Sequence, residues 1–228
     1  MTRTTNARIA GFTFLFYIVI GITGMILFGR ATSGDGIAAK LAGIAQHASN
    51  VRINILLSLL ACFSALVLAV TLYAITRDED PDLAMLVLCC RAGEGVLGGI
   101  SLIASAGLLW LATAAGADAP DAATANALGA FLFQVPAWNV PIAGTFFAVG
   151  STFFSYLLLR GRMIPVALAW LGVLASVLLV VSLPARLAGF IEGPVTFYMW
   201  MPMLVFEVVL ALWLLIKGVA MPAPRPSA

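Results

Sequence analysis

Six runs of about twenty or more mainly apolar residues set the outer limits of this fold, covering approximately 8–29, 53–76, 84–114, 137–159, 164–185 and 198–217. At a rise of 1.5 Å per residue, about 20 such residues cross the hydrocarbon core of a bilayer as a helix. No water is available there, so every backbone N–H and C=O must be satisfied within the segment or in a closed barrel, and runs of this length read as helices. The expected fold class is all-α: a polytopic membrane protein, a bundle of six transmembrane helices with short interfacial helices. Residues 1–221 form its single domain and Pro222–Ala228 a disordered tail.

Composition points the same way. The 228 residues are 62% hydrophobic and 10% charged, with a mean hydropathy of +1.08, against roughly 45–50% apolar and 25% charged residues in soluble domains. A net charge of +2 without any basic run excludes nucleic acid as a partner. Cys62, Cys89 and Cys90 all fall in apolar segments without CxxC spacing and read as buried thiols. The first apolar run, Ile9 to Gly29, exceeds the 7–15 residues typical of a signal-peptide core, and no small-residue cleavage site follows it, so it reads as the first membrane helix.

The connections are short and distinctive. Between the first two runs, Ile37, Leu41, Ile44, Ala48 and Val51 recur at helical spacing while Lys40, His47 and Asn50 fall elsewhere, which predicts an interfacial helix. Arg77 to Asp82 is a charged turn broken by Pro81, and Arg160 to Arg162 a tight basic one. The long third connection carries Asp118 and Asp121 but no Lys or Arg, and its Ala122 to Phe133 portion is expected along the membrane surface. With both termini cytoplasmic, the inner side collects Arg3, Arg8, Arg77, Arg160, Arg162, Lys217 and Arg225, whereas the outer side holds Arg30, Lys40, Arg52 and Arg186. Positive residues accumulate inside, which favours that orientation.

Three charges lie where charge is expensive. Arg91 and Glu94 are the only ionisable groups between Leu83 and Ala117 apart from two cysteines, and Glu207 stands alone in the last run. A charged side chain near the bilayer centre costs about 2.5–3.5 kcal/mol on insertion scales, so such groups face protein or water and have partners. Residues three apart share a helix face, and the face of Arg91 and Glu94 also carries Gly95, Gly98 and Ser105. Gly95 and Gly99 make a GxxxG pair that admits a second helix closely. Counting from Ala84 and Lys217, Glu94 and Glu207 both fall about 15 Å from the inner face, with Arg91 about 10 Å deep. One arginine against two acids leaves one acid in excess: either that acid is neutral in its buried setting, or another cation approaches, with Arg8 and Arg186 the candidates by type. Such a group fits a satisfied structural network, and equally a ligand site or proton relay.

Other signals are weaker. Pro136, Trp138, Asn139 and Pro141 read as the broken start of the fourth membrane helix, with the Asn139 amide near the outer surface. Arg186 and Glu192 can pair at the last outer connection. A single histidine, His47, excludes bis-histidine haem and His-rich zinc sites, and Lys40 and Lys217 lie away from mid-helix, which argues against a retinal Schiff base. There is no HExxH, GxSxG, Walker loop or GxGxxG, so no catalytic residue, metal ligand or cofactor is assigned.

Several segments together resemble a bacterial membrane-protein family catalogued as a domain of unknown function, DUF4386-like. They are Arg8 to Phe12, the Gly34-Asp35 pair followed by an Ala-rich helix leading to Arg52, the Arg91 segment with Gly98, Gly161 to Pro165, and Pro202, Glu207 and Trp213 to Gly218. The resemblance implies a six-helix unit in a bacterial cytoplasmic membrane and places Arg8, Arg52, Arg91 and Glu207 in a recurrent pattern without giving them roles. Three functions are open: a non-catalytic protein whose polar core holds the bundle while its surface serves lipids, a membrane-protein partner or a second copy; a small transporter or ligand-binding protein built on Arg91, Glu94 and Glu207 around a midplane cavity; or an intramembrane enzyme. The last has no nucleophile and base to name.

Overall fold

The computed structural model describes residues 2–116 and 119–220. Asp118, Arg225 and the tail Pro222–Ala228, for which disorder is expected, lie outside the described residues. Among those described, eight helices follow one another: α1 (Arg3–Ala31), α2 (Gly36–Gln46), α3 (Ala48–Thr76), α4 (Pro81–Thr113), α5 (Ala122–Arg160), α6 (Val166–Leu187), α7 (Val195–Tyr198) and α8 (Met201–Ile216). Six units are long and apolar enough to cross a membrane, with α7 and α8 together forming the sixth, Val195–Ile216. The protein is an all-α, multi-pass membrane protein.

Local chemistry fixes the helix starts. The Thr2 hydroxyl accepts from the Thr5 amide at 3.1 Å, Asp80 accepts from Leu83 at 3.1 Å with Pro81 in the first turn, and Asp121 accepts from Thr124 at 2.7 Å. Donation from the Thr124 backbone and side chain holds the exposed Asp121 carboxyl below the ordinary range. Within the helices, buried hydroxyls donate to the carbonyl four residues back, as Thr13 does to Ile9, Thr71 to Val67 and Ser176 to Gly172.

The long helices pack in a ring: α1 on α3, α3 on α4, α4 on α5, α5 on α6, α6 on α8, and α8 back on α1. Glycines set the closest approaches. A Cβ on Gly11 would meet the Ala211 carbonyl oxygen at 2.6 Å, so α1 and α8 touch backbone to backbone there. One on Gly172 would collide with Phe206 and Ser155, locking α6 against α8 and α5. The main core fills this ring with Phe14, Leu68, Leu72, Phe154, Leu179 and Phe206 among others. Its outside is equally apolar: Val96, Ile103, Val181 and Ile216 are each about 70% exposed. A bundle apolar on both faces is adapted to lipid rather than water.

One end carries the N-terminus and the α3–α4 and α5–α6 turns, joined by an Arg160–Asp80 ion pair at 3.1 Å. The opposite end is covered by α2, which packs on α4 and α5. Its Leu41 and Ile44 form a second core with Ala31, Val51, Leu108 and Leu111, and Lys40 lies 5.4 Å from the Phe133 ring centre.

Three expectations are corrected here. Ala122–Phe133 does not lie along the surface, because it is the first third of α5, a continuous helix of 39 residues with Pro136 and Pro141 inside it. Side-chain bonds brace this stretch: Asn139 donates to the Leu97 carbonyl and to Ser101 Oγ, both at 2.9 Å. Gly99 is not part of a close helix contact, since a Cβ there meets nothing within 4 Å; the tight approach of α4 to α3 is made by Gly95 and Gly98 against Cys62 and Ala65. Finally, Cys90 is buried, but Cys62 is half-buried and Cys89 exposed.

Candidate functional site

Helical spacing puts Arg91 and Glu94 on one face of α4, and packing turns that face inward. Arg91 is only 1% exposed. Its Nη1 lies 2.9 Å from Glu94 Oε2, and its guanidinium stands between the rings of Phe147 and Phe14, at 4.9 and 5.7 Å from their centres. The quadrupoles of both rings favour a cation held there. Gly150 on α5 makes the position accessible, because a Cβ would stand 3.0 Å from Cys90 Cβ and 3.6 Å from Arg91 Cγ. The other oxygen of Glu94 accepts from the Tyr17 hydroxyl of α1 at 3.0 Å. Glu94 is thereby tied to two helices at once.

Glu207 reaches the same centre from α8. It is 7% exposed, and its Oε1 is buried without a hydrogen-bond partner, as are Arg91 Nε and Nη2. It stands within electrostatic range of both Arg91 and Glu94. A buried polar atom with nothing to bond is costly. Glu207 also lines a cavity of about 590 Å³ whose wall includes Glu94, Tyr17, Asn139, Phe147 and Trp200. Helices α1, α3, α4, α5, α7 and α8 all contribute to the wall, which is mostly apolar, and the cavity extends from the level of the two acids toward the α2 end of the bundle.

Of the residues named from the sequence, Glu94, Glu207 and Asn139 line this cavity, and Arg91 stands behind Glu94, held by it. The structure does not bring the others there. Arg8 and Arg52 are exposed on the outside of α1 and α3. Arg186 lines a separate pocket of about 320 Å³ together with Glu192 and Trp138, and among the described residues Arg186 and Glu192 form no ion pair. His47, between α2 and α3, is exposed. Tyr17, Phe14 and Phe147 are members of the site that residue type alone did not reveal. A signal existed for Tyr17: a phenol well inside an apolar run has an O–H that needs an acceptor.

The family model described as "Domain of unknown function (DUF4386)" matches residues 9–218, which includes every helix that lines the cavity. The chain belongs to this family. Among curated proteins and among solved structures, nothing matches it. The DUF4386 match brings no reaction or ligand with it, so chemistry must be argued from the site. No group of three or more His, Cys, Asp or Glu side chains suited to a metal ion occurs among the described residues. Ser58, Ser101 and Cys62 border the cavity, but among the described residues no carboxylate is hydrogen-bonded to any of them.

Proposed function

We propose that this DUF4386 protein is a non-catalytic, ligand-binding membrane protein, a small transporter or receptor, with Glu207 as the exchangeable polar contact and the Arg91–Glu94–Tyr17 cluster as its fixed base. The observation that carries this reading is a 590 Å³ cavity with Glu94 and Glu207 on its wall, Glu207 having in addition one buried, unpartnered carboxylate oxygen. A polar network serving the bundle alone would be packed and closed, as half-satisfied networks cost more than an apolar core. Sites of about 300–1,000 Å³ lined by apolar side chains with a few convergent polar groups are what small-molecule ligands occupy, and transporter sites lie near the midplane. The protein belongs on this view in a bacterial cytoplasmic membrane with both termini inside. The cavity then lies in the outer half of the bundle, with lipid as its immediate surroundings and a second copy or a membrane-protein partner on its apolar exterior.

The experiment is a thermal-shift screen of purified protein against apolar cations, neutral amphiphiles and apolar anions, repeated on Glu207→Gln. A ligand at about one hundred times its Kd stabilises by roughly 2.7 kcal/mol, a rise of about 5 °C or more in Tm for a chain of this size. The expected result is a hit in one class that Glu207→Gln, folded, weakens. If no class shifts the wild type, and Ala143→Leu, which fills the cavity from α5, simply raises Tm, the cavity is structural and the proposal is lost.

A further inference from the structure

The chemistry of the occupant follows from the charges and from the shape of the wall, resting on the ligand-binding reading above. Arg91 is already engaged by Glu94 at 2.9 Å and held between Phe14 and Phe147, and it is not part of the cavity surface. The surface of the cavity therefore presents two acids and no cation. With both acids ionised, the one arginine cancels one of them and a single negative charge remains, on the group whose oxygen has no partner. An anion or zwitterion would find no cation on the wall to receive its negative end, only neutral donors such as the Ser58 hydroxyl. A single positive charge would balance the site, and the rings of Trp200, Phe147 and Phe197 on the wall suit a cation with an apolar body.

The wall also reaches the outside of the bundle. On the half nearer the N-terminus, α1 and α8 are in backbone contact at Gly11 and Ala211. Farther along, Ile22 and Met25 of α1 and Phe197 of α7 line the cavity and are also 44%, 63% and 58% exposed. The cavity thus continues sideways between α1 and α7–α8 to the apolar surface.

We infer that the cavity takes a lipophilic monovalent cation, which enters laterally from the bilayer between α1 and α7–α8 and places its charge against Glu207. Protons compete for the same carboxylate. The ionisable groups facing it are Glu94, with Arg91 behind it, from α4, Tyr17 from α1 and Cys62 from α3. Helix α5 offers the cavity no ionisable side chain, and the only Arg, Lys, His, Asp, Glu, Cys or Tyr on α6 is Arg186, which lines the other pocket.

The test uses the full chain in lipid nanodiscs and three probes of similar size: tetraphenylphosphonium, tetraphenylborate and neutral triphenylphosphine oxide. Expected is saturable binding of the phosphonium, at least tenfold tighter than either other probe, weakening at least tenfold from pH 8 to pH 5 and on Glu207→Gln. Ile22→Trp, which narrows the lateral mouth, is expected to slow phosphonium association at least fivefold. Equal or tighter binding of the borate or the neutral probe overturns the cation assignment, while its sensitivity to Glu207→Gln would keep the ligand-binding reading standing. Binding of none of the three overturns the cation assignment as well, and the broader screen then decides the parent reading separately. An unchanged association rate in Ile22→Trp overturns the lateral route. The comparison among probes is made on the wild type, so it stands even where a variant fails to fold.

Discussion

Arg91 shows how a single residue can be indispensable without being stabilising in itself. Its guanidinium is withdrawn from solvent and lipid, and the Glu94 contact and two aromatic faces offset that cost. Removing one member of a buried pair strands the other charge, which costs about 3–5 kcal/mol, whereas replacing both by neutral groups of similar volume is often neutral or stabilising. Arg91→Ala is therefore expected to lower stability by about that amount in detergent, and Arg91→Met with Glu94→Gln to recover most of it. Equal losses in the single and double variants would show that the two side chains do not act as a pair. The pair was legible in the sequence because charge within an apolar run has few solutions and a spacing of three fixes a shared face. The contribution of Phe14 and Phe147 was not, because an apolar side chain in an apolar helix carries no mark of what it packs against.

At the scale of the helix, glycine positions separate contacts from open surface. Gly95 and Gly99 look equivalent in sequence, but a Cβ at Gly95 would stand 3.0 Å from the Cys62 carbonyl oxygen and 3.2 Å from Ala65 Cβ, and one at Gly99 would meet nothing. The carbonyl belongs to the α3 backbone and cannot swing aside. Gly95→Ala is thus expected to destabilise by about 1–3 kcal/mol through overpacking, and Gly99→Ala to be neutral or to stabilise by up to about 1 kcal/mol through helix propensity. Thermal unfolding of the two variants side by side tests this, and a larger loss at Gly99 would put the α3 contact on the wrong face. The same limit explains α5. Two prolines signal a helix start when read locally, yet the chain stays helical through both, with the Asn139 amide bonded across to α4. Whether a proline ends a helix depends on tertiary packing, and the α4 residues that Asn139 bonds are 38 and 42 residues away in sequence.

For the whole molecule, six membrane crossings and their approximate bounds, apart from the start of the fourth, were legible because lipid thickness dictates length, whereas the cavity was not. It lies beyond the close contact of α1 and α8 at Gly11, where Ile22 and Met25 of α1 line its wall, a departure from packing that no residue type announces. That asymmetry makes orientation a functional question. The cavity lies toward the α2 end, away from the N-terminus, so the side on which the termini reside decides which leaflet feeds its mouth. Positive residues give the answer to expect: Arg3, Arg8, Arg77, Arg160, Arg162 and Lys217 lie at the terminal end, against Arg30, Lys40, Arg52 and Arg186 at the other. Ser33 and Asp78 are exposed in the turns at opposite ends. In a background with Cys62, Cys89 and Cys90 replaced, a membrane-impermeant maleimide added to intact bacterial cells should label Ser33→Cys, and should label Asp78→Cys only after lysis. The reverse pattern would invert the protein, and the lateral mouth would then draw from the cytoplasmic leaflet, where anionic lipid concentrates cations at the surface.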